Sequence, residues 1–145
     1  VMTGYYKMPD KTAETIIDGW LHTGDIGYID SRGYVFIKDR IRDVVITGGF
    51  NVYPSDVEAV LGRHPDIREC VVFGVTDEKW GEAVHAAVEL HDGATTSAAD
   101  IIEFVKQQLD SVKAPKAVHI TQSLPRSPVG KVLRRAAKEL FAQGG

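Results

Sequence analysis

The sequence predicts an α+β fold: a small mixed or antiparallel sheet with helices packed on it, preceded by a β-hairpin. Three observations carry that expectation. Short runs of β-branched and aromatic residues are bounded by Gly, Pro and Asp. Other segments place apolar residues at i, i+3 and i+4, the period of a helix with one buried face. The two kinds of segment alternate in an order that suits a sheet with helices laid on it.

Taken in chain order, Tyr28-Ile29, Asp30-Ser31-Arg32-Gly33 and Tyr34-Val35-Phe36-Ile37 read as strand, Gly-containing loop and strand. Val44-Val45-Ile46 is a short strand ended by Gly48-Gly49. Phe50-Asn51-Val52 leads to Pro54, whose fixed φ and missing N–H suit a first helical position. Val57, Val60 and Leu61 set a helix over about residues 54–62, and His64-Pro65-Asp66 breaks it. Cys70 to Val75 is a near-continuous apolar run, as in a buried strand; residues 83–90 read as another, followed by a turn at Asp92-Gly93. Ser97 and Asp100 resemble a capping box, with Asp in place of the usual Glu or Gln. Ile101, Ile102, Val105 and Leu109 then mark an amphipathic helix. Ala117-Val118-His119-Ile120 is a short strand, and residues 124–130 are a loop with two prolines. Val132, Leu133, Ala136, Ala137 and Leu140 form the apolar stripe of a final helix.

With 145 residues, 43% apolar and 26% charged, the chain can build a real core without staples. That composition excludes collagen-like, low-complexity and disordered classes. No apolar run approaches the ~18 residues of a membrane span, and Val1–Asp10 has no secretory pattern. The lone Cys70 makes no intramolecular disulfide and suits a reducing compartment, so a cytoplasmic location is expected. The chain begins at Val and is short for an enzyme that activates a substrate with a nucleotide, so it reads as part of a longer protein.

Charge is unevenly placed: −9 over residues 1–112 and +6 over residues 113–145. A basic tail on an acidic body suggests an anionic ligand near the C-terminus; from charge alone a solvated basic helix is the plainer reading. Nucleic acid is not the expected partner, because the basic stretch lacks interleaved aromatics and the net charge is −3.

Three groups of residues are suited to chemistry. Thr23-Gly24-Asp25 puts a carboxylate on a tight turn, where its two oxygens can accept from both hydroxyls of a ribose. A plain turn reads the same way. Asp39-Arg40-Ile41-Arg42-Asp43 is a charged, solvated connection, and Gly48-Gly49 beyond it allows close approach of a ligand or positive φ. A charged hairpin edge with a Gly bulge is the alternative. Leu124-Pro125-Arg126-Ser127-Pro128-Val129-Gly130-Lys131 presents an ammonium just before the final helix, which suits a phosphate or carboxylate. It is not a Walker A loop, lacking the upstream Gly and the following Ser or Thr.

In this order and spacing, Thr-Gly-Asp, then Asp-Arg-x-Arg-Asp with Gly-Gly-x-Asn-Val-Tyr-Pro, then Pro-x-Ser-x-x-Gly-Lys-x-x-Arg resembles the C-terminal part of the AMP-forming acyl-CoA synthetases. That superfamily also holds peptide-synthetase adenylation domains and luciferases. The resemblance runs from about Met2 to Leu140. It implies that residues 1–39 are the tail end of a large N-terminal adenylation domain. Residues 40–145 would then be the mobile C-terminal domain, with a hinge at about 40–43. It implies an acid–thiol ligase that converts carboxylate, ATP and CoA to acyl-CoA, AMP and pyrophosphate through an acyl-adenylate, with Mg²⁺ and a domain rotation between the half-reactions. The part alone is expected to be inactive, since the phosphate loop and acyl pocket lie in the missing N-terminal domain.

Residue by residue, the resemblance implies that Asp25 binds the AMP ribose and Arg40 the ribose or phosphate. Arg42 falls at the hinge, where Asp or Lys is usual. Lys131 matches the lysine required for adenylation. Gly48 and Gly49 match the loop lining the pantetheine tunnel. Trp80 stands where some members stack an aromatic on the CoA adenine, and Lys113 and Lys116 where CoA phosphates are met. Val112 and Ala114 depart from an aromatic and an Arg that occur there. No residue is assigned to metal. The alternatives are a peptide-synthetase adenylation domain, whose acceptor is a carrier-protein thiol, and a non-catalytic interaction module.

Overall fold

A computed structural model describes residues 2–142. The chain forms two compact units, Val1–Arg42 and Asp43–Gly145. No described helix is long and apolar enough to cross a membrane.

The first unit contains helix α1 (Pro9–Thr15), the two-residue strands β1 (Ile16–Ile17) and β2 (Trp20–Leu21), then β3 (Asp25–Ile29) and β4 (Val35–Arg40). β1 pairs with β2 and β3 with β4, both antiparallel. The expected hairpin is present. Its turn is held by Asp30 Oδ1, which accepts from the Arg32 and Tyr34 N–H groups, and by Gly33 at φ +87°. The strands extend beyond their apolar residues, because the ladder continues past a bulge until Asp25 faces Arg40. α1, β1 and β2 are too short for a periodic signal and were not expected. Among the described residues of this unit no apolar side chain is fully buried; Tyr28, Ile29, Tyr34, Val35 and Ile37 are 58–68% exposed.

The second unit holds β5 (Val45–Thr47), β6 (Phe50–Val52), α2 (Pro54–Leu61), β7 (Ile67–Asp77), β8 (Gly81–Leu90), α3 (Ala98–Gln108), β9 (Ala117–Thr121) and α4 (Arg134–Phe141). The sheet order is β6-β5-β8-β7, with β9 also pairing with β8. All pairs are antiparallel except β8–β9, so the sheet is mixed, as the sequence predicts. One core joins Val72, Val84, Ala86 and Val88 to Val57, Val60 and Leu61 of α2 and to Ile101 and Val105 of α3. A second core joins Val71, Phe73 and Ala87 to Leu124 and to Ala137 of α4. Covering both faces of β7 and β8 explains why their sequence is nearly continuously apolar instead of alternating.

Pro54 begins α2, and the Ser97–Asp100 box closes both of its hydrogen bonds, at 3.1 and 3.2 Å. Two readings need correction. Phe50–Val52 is a strand, β6, rather than a lead-in, because Gly48-Gly49 is a hairpin turn. The final helix starts at Arg134, not Val132. Val132 pairs with Arg126 in a bridge, and the Leu133 N–H donates to Pro125 O at 2.8 Å, so their backbone belongs to the loop.

His85 and His119 are neighbours on β8 and β9, with ring nitrogens 3.2 Å apart. His119 also stacks on Phe73 and Phe141. Burial pushes both imidazoles below the ordinary value of 6.5, and the His119 charge adds to this for His85. The unfolded chain therefore binds more protons than the folded one. The associated stability is full above about pH 6.5 and is lost as the pH falls toward the lowered folded values. The urea midpoint of the 145-residue chain should fall between pH 7.5 and 5.5. His119→Gln should flatten that slope, and an unchanged slope in the variant rejects this origin.

Candidate functional site

In the first unit, the β3–β4 register brings Asp25 and Arg40 side by side. Gly24, at φ +75°, makes the turn, the Asp25 N–H donates to Thr23 Oγ1 at 3.2 Å, and the Ile41 N–H donates to Gly24 O at 2.9 Å. Arg40 Nε lies 3.6 Å from Asp25 Oδ1, with both side chains reaching solvent. An exposed pair of this kind contributes only ~0–1 kcal/mol, so a ligand can recruit both groups at little cost. The carboxylate can accept from vicinal hydroxyls, and the guanidinium can meet an anion. Arg42 lies in a single 3₁₀ turn, Ile41–Asp43, and is the last residue of the first unit.

In the second unit, Gly48 and Gly49 are the two central residues of the β5–β6 hairpin, at φ +56° and +83°. Both positive values match a type I′ turn, which only Gly, Asn or Asp enter readily. Gly48 also needs to be small: a Cβ there would lie 3.0 Å from Trp80 Cε3. The Gly48 N–H donates to Trp80 O at 2.9 Å. The Trp80 turn is set by Asp77 Oδ1, which accepts from the Lys79 and Trp80 N–H groups. Trp80 is 42% exposed, with Lys79 and Lys116 ammonium groups 5.0 and 5.8 Å from its ring centroid. Gly48, Gly49, Trp80 and Lys116 are thus brought together. Lys113, on the same loop as Lys116, is half-buried and makes no such ring contact among the described residues. Ile46 and Phe50, outward-facing on the hairpin, add exposed apolar surface that the sequence reading did not single out.

Lys131 leaves a tight turn. The Gly130 N–H donates to Ser127 O, the Ser127 N–H to Lys131 O, both at 2.8 Å, and the Lys131 N–H to Ser127 Oγ at 3.2 Å. Lys131 is therefore on the outgoing arm of a hairpin, just before α4 begins at Arg134, where the sequence expects it. Its side chain is exposed.

The basic tail is mostly neutralised internally. Arg126 pairs with Glu69 and Glu89, Arg134 with Asp43 and Glu58, Arg135 with Glu139, and Lys138 with Glu82. Among the described residues, the tail cations left without a carboxylate are Lys113, Lys116 and Lys131. The tail is thus not a uniform anion surface; three lysines retain that capacity.

Glu89 is a residue that sequence reasoning missed. It is 1% exposed on β8, facing the α4 side of the sheet. Burial would push its carboxyl upward, but the Leu124 N–H and the Arg68 and Arg126 guanidiniums outweigh this and hold it below the usual range. A Glu inside the apolar run Val84–Leu90 was the available signal, since a buried carboxylate needs cationic partners.

Comparison with known proteins adds a family. The AMP-binding enzyme C-terminal domain family matches residues 56–131, just over half of the chain. A fatty acid–[acyl-carrier-protein] ligase, ScoC of Streptomyces coeruleorubidus, is 50% identical over 97% of this chain and 27% of its own length. A 2-succinylbenzoate–CoA ligase of Geobacillus kaustophilus (strain HTA426) is 44% identical over 97% of this chain and 29% of its own. ATP-bound MatB from Rhodopseudomonas palustris superposes with a TM-score of 0.91 at 41% identity, over 97% of this chain and 28% of that one. The chain thus spans less than a third of the length of these proteins. The family match covers more than half of the sequence and the fold agrees with it, so the chain belongs to the AMP-binding enzyme C-terminal domain family.

Proposed function

We propose that the chain serves as the C-terminal part of an AMP-forming acyl-CoA synthetase. The observation that carries this reading is Lys131, an exposed ammonium without a carboxylate partner among the described residues, held on a hydrogen-bonded turn. In the first half-reaction a carboxylate oxygen attacks the α-phosphorus of ATP and pyrophosphate leaves. Lys131 supplies positive charge where negative charge accumulates on the α-phosphate. Asp25 accepts from the ribose hydroxyls, and Arg40 meets the ribose or phosphate. In the second half-reaction the CoA sulfur replaces AMP at the acyl carbon. The Gly48–Gly49 turn lies along the pantetheine arm, Trp80 stacks on the adenine, and Lys113 and Lys116 meet the CoA phosphates. Rotation about Arg42 separates the two half-reactions.

Residues 1–39 belong, in this reading, to a larger N-terminal domain that carries the acyl pocket. The exposed apolar face of the β3–β4 hairpin supports this, because a two-stranded ribbon is marginally stable by itself. Mg²⁺ would arrive with ATP; among the described residues no group of three His, Cys, Asp or Glu side chains is arranged to hold a metal, so no step is assigned through it. A cytoplasmic setting suits Cys70, whose thiol is pushed up to about 12 by burial and the Glu58 and Glu69 charges, leaving it unreactive.

The ScoC match supports a second reading of the acceptor, a carrier-protein thiol in place of CoA. ATP–pyrophosphate exchange by the intact protein across a panel of carboxylic acids tests the adenylation step. CoA and a pantetheinylated carrier protein are then compared as acceptors. Exchange with at least one acid is expected; exchange with none overturns the proposal.

A further inference from the structure

We propose that Glu89 is a positioning residue for Lys131, acting through Arg126. This rests on the role given to Lys131 above. Glu89 Oε1 accepts from the Leu124 N–H at 2.6 Å and from Arg126 Nη2 at 2.8 Å. Its Oε2 accepts from Arg68 Nη2 at 2.6 Å and Nε at 3.1 Å. Every bond ties the start of the 124–133 loop, or the neighbouring strand β7, to one buried point on β8.

Arg126 carries that anchor forward. Its Nη1 pairs with Glu69 at 2.7 Å and donates to Gly130 O at 3.4 Å, the carbonyl of the peptide bond that joins Gly130 to Lys131. One guanidinium therefore links the buried carboxylate to the backbone at Lys131. The bridge from Arg126 to Val132 and the Leu133 N–H to Pro125 O bond close the base of the same turn. A charge that acts on a transition state must be placed to within a fraction of an ångström, and the bonds of Lys131 to Ser127 close its turn without fixing that turn to the sheet. The Glu89–Arg126 pair supplies it. Glutamine keeps the size of Glu89 and one acceptor oxygen but loses the charge shared between two guanidiniums.

The test uses the intact ligase with Glu89→Gln, Arg126→Lys and the double variant. In Glu89→Gln, pyrophosphate exchange should fall about tenfold or more in kcat, with the KM for ATP nearly unchanged. Thioester formation from supplied acyl-adenylate should stay close to wild type. Amide hydrogen exchange should accelerate over residues 125–133 and stay unchanged in β7 and β8. The double variant should be no worse than the more affected single variant, as expected of one shared path. Parallel loss of both half-reactions with faster exchange throughout β7 and β8 overturns the proposal, since that is general destabilisation. Unchanged exchange over 125–133 overturns it as well. Where Glu89→Gln fails to fold, Arg126→Lys, at the partly exposed end of the pair, carries the same readouts. If Lys131→Ala leaves adenylation intact, the functional reading fails, while hydrogen exchange still decides the clamp.

Discussion

Lys131→Ala in the intact protein is expected to lower acyl-adenylate formation by roughly 10²–10³-fold, the usual effect of removing one preorganised charge-stabilising group. Thioester formation from supplied acyl-adenylate should persist, because in the proposed mechanism that step uses the Gly48–Trp80 surface instead. The asymmetry follows from the chemistry. Charge builds on the α-phosphate only while the carboxylate attacks and pyrophosphate leaves. An ammonium without a carboxylate partner has no competing ion pair to break before it acts. Pyrophosphate exchange within a few-fold of wild type in this variant rejects the assignment. Stability should scarcely change, since the side chain is exposed and no ion pair is lost.

Phe73→Ala is expected to cost about 3–5 kcal/mol, a large share of the 5–15 kcal/mol that typical domains hold. Phe73 is 1% exposed and central to the core beneath α4, with Val71, Ala87, Leu124 and Ala137 around it. Its removal also takes away one face of the His119 stack. Urea denaturation of the chain measures the loss. A cost under about 1 kcal/mol would mean that α4 and the loop before it are not firmly packed on the sheet, and the anchoring of Lys131 would lose its foundation.

Much of the architecture was legible because local chemistry and tertiary packing agree. Pro54 and the Ser97–Asp100 box start helices for reasons internal to a few residues. The Asp30–Gly33 loop turns because Asp30 satisfies its backbone donors and Gly33 accepts positive φ. The start of α4 was misplaced because Val132 and Leu133 continue the apolar stripe of the helix, while their backbone bonds go to residues 125 and 126. Periodicity reports which side chains are apolar, not which partner the N–H has chosen. β6 was missed for a similar reason: three residues are too few to alternate visibly.

The site residues divide in the same way. Asp25, Arg40, Gly48, Gly49 and Lys131 could be singled out because residue type and spacing are properties of the chain; their roles are those proposed above. The same sequence also determined the family membership, the mixed sheet and the uneven charge. Which cations of the basic tail remain available was decided only by folding. Arg126, Arg134, Arg135 and Lys138 find carboxylates up to 91 residues away in sequence, and Lys113, Lys116 and Lys131 do not. Ion pairing depends on distance in space, and β7 and β8 set those distances by bringing Glu69 and Glu89 under the loop that holds Lys131.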